Sequence, residues 1–158
     1  METNNVNHSE RGQSMVELAI SLTFLFILLA GVVDLGRAFF TYIALRDAAQ
    51  EGASYATVVR DSYNDPMACN AIEARARSTS NTPVDLSDTT DISVTINIGG
   101  MDCSSASAAN ACFGNGAEVI VAFENFPITM PFLGAIIGSN TVSLSAQVED
   151  TILTPACQ

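Results

Sequence analysis

No charged residue lies between Glu17 and Asp34, and the sixteen residues that separate them read LAISLTFLFILLAGVV. As a helix this run spans about 24 Å at about 1.5 Å per residue, a little short of the roughly 30 Å hydrocarbon core, so its flanks must contribute. Phe39, Phe40 and Tyr42 are placed to form an interfacial belt. A membrane-spanning helix is therefore the expectation, against two competing fates: a buried core helix and a removable secretory signal. The leader METNNVNHSER carries one Arg against two Glu, and no Ala-x-Ala site follows the apolar run, which is unlike a secretory signal. The helical pattern continues past Asp34 through LGRAFFTYIALRDAAQEGASYATVV without Gly-Pro or Ser-rich punctuation. One helix of about 45 residues follows from that continuity.

The chain has 158 residues, enough for one ordinary domain and an appendage. Six arginines, no lysine and 17 acidic residues give a formal charge of -11, which opposes an electrostatic grip on nucleic acid. Arg11 flanks one side of the span and Arg37 and Arg46 the other, so the arginines mildly oppose a cytoplasmic N-terminus. The cysteines favour it. Cys69, Cys103, Cys112 and Cys157 all follow the span, an even number suited to two disulfides, which place the C-terminal part outside the cytoplasm. Three connectivities are open. The working expectation is a closed Cys103–Cys112 loop, leaving Cys69 to tie a helix to the tail through Cys157. No pair has C-x2-C spacing and the sole histidine, His8, precedes the span, so a metal site is not expected.

Beyond the span, small side chains recur on one helical face at Ala44, Ala48, Gly52 and Ala56, with Ala49 and Ala53 beside them, and permit close packing. Asn64-Asp65-Pro66 starts a second helix of about 14 residues that ends before Asn81-Thr82-Pro83. Thereafter the period becomes two. Ile92, Val94, Ile96 and Ile98 alternate with polar residues, as do Val142, Leu144, Ala146 and Val148, and EVIVAFE at 118–124 is a third strand. The fold class is α+β: a long N-terminal membrane-spanning helix whose outer half covers a small antiparallel sheet of three to four strands, with a second short helix. FPITMPFLGAIIGSN, between the last two strands, is apolar but too interrupted by Pro and Gly for a second span. It is expected to fill the core as a loop or short helix, or to lie at a partner interface.

The junction before the apolar run reads Glu10-Arg11-Gly12-Gln13-Ser14-Met15-Val16-Glu17. Cleavage after Gly12 would leave Gln13 as the first residue and Glu17 as the fifth. This resembles the prepilin signal of type IV pilins and pseudopilins. More specifically, RGQSMVELAISLTFLFILLAGVVDLGRAFF and the following AAQEGASYA resemble the TadE-like family of the tight-adherence (Tad, or Flp) pilus apparatus, as do PITMPFLGAIIG and TVSLSAQVE near the C-terminus. The resemblance implies a minor pilin or pseudopilin, with Gly12 before the scissile bond, Gln13 as the new N-terminus, and Glu17 meeting the free amine of a neighbouring subunit. Leu18 follows the glutamate here where major Flp pilins commonly carry an aromatic residue, which favours a minor component. The implied partners are other pilin subunits, a prepilin peptidase, the inner-membrane assembly platform and the lipid bilayer, with adhesion or secretion as the biological setting.

The corresponding division is a leader at 1–12, a long helix at 13–60 embedded in its first half, and an extracytoplasmic α+β domain at 61–158. Asp34 and Arg37, three apart on one face, are expected to pair at the outer membrane edge or to contact a packed subunit. An enzyme is not expected: with His8 in the leader and no lysine, a Ser-His-Asp or Cys-His device and a lysine nucleophile are both missing from the mature chain. The acids at Asp61, Asp65, Asp85, Asp88 and Asp91 lack a calcium-loop pattern, and no cofactor is implied. The alternative to a pilin is an uncleaved single-pass anchor presenting a small binding or adhesive domain.

Overall fold

The computed structural model describes residues 8–58, 66–107, 109–131 and 133–153. The helix α1 (His8–Val58) runs through 51 residues without a break. The second helix, α2 (Pro66–Arg77), is followed by β1 (Ile92–Ile98), the short β2 (Met101–Asp102), a 3-10 turn at Cys103–Ser105, β3 (Gly116–Pro127), the five-residue α3 (Leu133–Ile137) and β4 (Thr141–Thr151). The strands form one antiparallel sheet in the order β2-β1-β3-β4. This is the expected α+β class. The helix α2 is 12 residues long, slightly shorter than expected, and its Asn64-Asp65 cap lies outside the described residues.

Burial explains how helix and sheet meet. On α1 it begins at Asp34 and recurs at Thr41, Ala44, Leu45, Ala48, Ala49, Gly52, Ala53 and Ala56, a spacing of three and four that defines one helical stripe. Small side chains on this stripe let the helix axis come close to the sheet. A Cβ added to Gly52 would lie 3.2 Å from both the Ala76 Cβ and the Val119 Cγ1, so α1, α2 and β3 meet there. The sheet contributes Ile92, Ile96, Ile98, Ala117, Val119, Val121 and Ala146 to the same core, and α2 contributes Ile72. Before Asp34, in contrast, Leu18, Leu22, Phe24, Leu25, Phe26, Leu28 and Leu29 are all exposed.

Two local features set the ends of the sheet. Phe123 pairs with Leu144 and Phe126 with Val142, three steps on β3 against two on β4, so a bulge re-phases the alternation and keeps Phe126 on the buried side. At the other end Gly99, at φ +57°, turns β1 into β2; a Cβ there would meet the Asn110 carbonyl at 2.6 Å.

The disulfide connectivity differs from the expectation. Cys69 is bonded to Cys103, with Cα atoms 6.0 Å apart, because α2 lies against the 3-10 turn that follows β2. Cys103 is therefore not the partner of Cys112, nor Cys69 of Cys157, and Cys157 lies outside the described residues. The bridge closes a loop over a sequence separation of 34. In the chain-entropy account a loop of this size stabilises a small domain by about 4 kcal/mol.

Arg77 fastens the other end of α2. Its Nε donates to the Glu73 carboxylate at 2.7 Å, Nη1 to the Leu86 carbonyl at 3.0 Å and Nη2 to the Ile92 carbonyl at 3.2 Å. One side chain thus ties the helix, the following loop and the start of β1 together. Nothing in the sequence marks this role, because an arginine in the last turn of a short helix is ordinarily solvated.

Candidate assembly helix and membrane-proximal site

Gly12, Gln13 and Glu17 lie on the exposed first third of α1. Nothing outside the local helix comes within 4 Å of the space a Gly12 Cβ would occupy. Glu17 takes part in none of the three ion pairs found among the described residues. Thr23, the one threonine in the apolar run, donates its hydroxyl to the Ala19 carbonyl at 2.8 Å, so it presents no unsatisfied donor to hydrocarbon. The apolar window of α1 is long enough to cross a membrane and none of it is buried by the rest of the chain. A buried core helix is thereby excluded for this run: no head wraps it.

Asp34 ends the apolar run and begins the buried stripe. Its Oδ2 accepts from the Thr129 and Met130 amides at 2.8 and 2.6 Å, and its Oδ1 accepts from the Thr129 hydroxyl. Arg37 Nη1 stands 3.6 Å from Oδ1. The pairing that the spacing allowed is present, but the closer partners come from the loop after β3, 95 residues away in sequence. Arg37 also places its guanidinium 5.5 Å from the centre of the Phe126 ring, which the bulge has turned toward it. Helix and β3–β4 loop are therefore locked at the foot of the head.

This lock can be tested by two substitutions. Asp34→Leu removes every acceptor from two amides and a hydroxyl, and should lower head stability in detergent by about 2 to 3 kcal/mol. Asp34→Asn keeps one oxygen for the amides and can turn its NH2 to the Thr129 hydroxyl, so it should cost about 1 kcal/mol or less. Denaturant midpoints, together with amide exchange at Thr129 and Met130, read both effects.

Beside the lock, a groove of about 510 Å3 runs between α1 and the head, with Phe40, Ile92, Phe123 and Phe126 among its walls and Asp85, Asp88 and Asp91 at its margin. Those acids are engaged locally. The Ser87 hydroxyl and amide donate to Asp85 and hold its carboxyl below the usual value; the Thr90 amide does the same for Asp88. Among the described residues no group of three or more His, Cys, Asp or Glu side chains is gathered closely enough to hold a metal ion.

Comparison with known proteins bears on the helix. Residues 12–54 match the family model of TadE-like proteins, a segment that covers about a quarter of the chain. No curated protein and no solved structure matches the chain. The match begins at Gly12, includes the whole apolar run, and ends at Ser54, whose hydroxyl donates to Asp150 at 3.1 Å near the far end of β4. The segment that carries Glu17, Asp34 and Arg37 is therefore similar to TadE-like proteins.

Proposed function

We propose that the chain is a minor pilin or pseudopilin of a Tad-type pilus, cleaved after Gly12 and packed against other pilin subunits through the exposed part of α1. The observation that carries this reading is the bare apolar surface at 18–33, closed at its inner end by Glu17 and at its outer end by the head, within a TadE-like segment. Before assembly, lipid covers that surface. Extraction into water is opposed by about 25 cal/mol per Å2 of apolar area, so a subunit leaves the bilayer only where neighbouring helices replace the lipid. The inner-membrane assembly platform is the partner that would drive the transfer, and a prepilin peptidase the one that exposes Gln13.

In this reading residues 1–12 are a cytoplasmic leader, residues 13–60 the helix, and residues 61–158 an extracytoplasmic head that reaches the cell surface or pilus with the fibre. The Cys69–Cys103 bridge supports the oxidising side for the head. A structural role also accounts for a chain whose mature part holds no histidine or lysine. The groove beside Arg37 favours a second reading, an uncleaved anchor that presents a binding head.

N-terminal sequencing separates the two. Coexpressed with a prepilin peptidase, the wild-type chain should begin at Gln13, whereas Gly12→Val should remain at full length, because a branched side chain blocks close approach to the scissile bond. A wild-type chain that still begins at Met1 in the presence of an active peptidase overturns the pilin reading in favour of the anchor.

A further inference from the structure

The apolar segment between β3 and β4 does not fill the core. Its helix α3 has no buried residue, and Ile136 and Ile137 are 80% and 52% exposed. The head also exposes Met101, Phe113 and Leu153, but Ile136 is the most exposed of its large apolar side chains and has Ile137 directly beside it. No charged residue occurs between Glu124 and Glu149, so the loop and its flanking strand ends form the longest uncharged stretch outside the spanning helix.

Position gives this stretch an occupant. The climb along α1 from Asp34 to Ser54 is about 30 Å, and the eleven residues of β4 cover about 34 Å. Asp150 meets Ser54 at one end of that length, and Thr129 and Met130 meet Asp34 at the other. The β3–β4 loop is thus the part of the head nearest the apolar run. It also reaches past Asp34: the Met130 sulfur would lie 3.4 Å from a Cβ on Gly31, one helical turn inside the charge-free segment. Met130 thus borders the lipid-facing surface of α1, and the exposed Ile136 and Ile137 follow six and seven residues later in the same loop.

We infer that the β3–β4 loop, with Ile136 and Ile137 at its tip, is a second membrane contact that inserts into the interfacial region of the outer leaflet beside α1 before assembly. This rests on the reading that residues 18–33 span the bilayer. An apolar element lying at the headgroup boundary enters by about 5 to 10 Å without crossing. The absence of charge suits that depth, since the acidic remainder of the head is held off by anionic lipid. With Asp34 clamping the loop to the helix, the contact fixes the tilt and rotation of the head at the membrane surface. It would also be broken when the subunit leaves the bilayer.

The chain has no tryptophan, so a single one reports its surroundings without background. Ile136→Trp, Phe24→Trp and Thr95→Trp in the full chain would be reconstituted into phosphatidylcholine vesicles brominated either near the headgroup or deep in the acyl chain. Ile136→Trp should be blue-shifted and lose most of its emission to shallow bromines, Phe24→Trp should respond more to deep bromines, and Thr95→Trp, on the exposed face of β1, should be unaffected. If Phe24→Trp is quenched and Ile136→Trp is not, the loop contact is wrong while the span stands. If neither is quenched, the spanning reading fails and the loop contact falls with it. Quenching that persists in the Ile137→Ser background but disappears with Asp34→Leu would still support insertion held by the clamp.

Discussion

Glu17→Gln should reduce incorporation into the pilus by about a thousandfold while leaving the subunit in the membrane fraction at wild-type abundance. The sign of each half follows from charge. A carboxylate at the edge of hydrocarbon is held there at a cost of at most about 2.5 to 3.5 kcal/mol, the value for a helix centre, and a neutral amide relieves it. Membrane residence is therefore kept or improved. In the proposed pilin reading the attraction lost is that between the carboxylate and the amine of a neighbouring Gln13, about 4 kcal/mol at 4 Å with an effective dielectric near 20, which corresponds to about three decades in affinity. Glu17→Asp retains the charge on a shorter arm and should fall between the two. Immunoblotting of sheared pili against the membrane fraction measures both quantities. Unchanged incorporation of Glu17→Gln would remove the acid from the assembly mechanism, and joint loss from both fractions would point instead to misinsertion. Glu17 suits the role structurally because it is exposed on a helix surface that the chain's own head does not reach.

The same contrast explains what could be read from the residues alone. Strands β1, β3 and β4 were legible because their apolar residues alternate toward the core, as Ile92, Ile96 and Ile98 point inward and Thr95 outward, whereas the two-residue β2 is exposed at both positions and carries no such pattern. The small stripe from Ala44 to Ala56 was legible for the same reason, at helical spacing. The Asp34 lock was not. A threonine and a methionine in an apolar loop carry no mark of the carboxylate they bind, and hydrogen bonding by backbone amides is independent of side-chain identity. Connectivity of four cysteines is likewise a property of tertiary packing: the eight residues between Cys103 and Cys112 suggested a small loop, whereas the docking of α2 on the 3-10 turn brings Cys69 to Cys103. The β3–β4 loop left two expectations open, core or interface, because hydrophobicity alone does not distinguish them; the short helix α3, with no buried residue, removes the first.

Gly52 is where helix and head are most sensitive to a single change. Gly52→Leu should destabilise the head by about 4 kcal/mol, since the added side chain occupies space already filled by α2 and β3 and one of them must lift away, uncovering Ile72 or Val119 at about 1.5 to 3 kcal/mol for each side chain, with strain in addition. Gly52→Ala is the informative neighbour. Its Cβ would sit 3.2 Å from the Ala76 Cβ and the Val119 Cγ1, a contact relieved by a shift of a few tenths of an ångström, while alanine gains about 0.8 to 1 kcal/mol of helix propensity over glycine. The two terms nearly cancel, so the denaturant midpoint should move little. Measured in detergent with the disulfide intact, near-wild-type stability for Gly52→Leu would mean that α1 does not pack this closely on the sheet. If the leucine variant unfolds and the alanine variant does not, the outer half of α1 is the spine of the head, and a force applied to the helix during assembly is transmitted directly to the sheet.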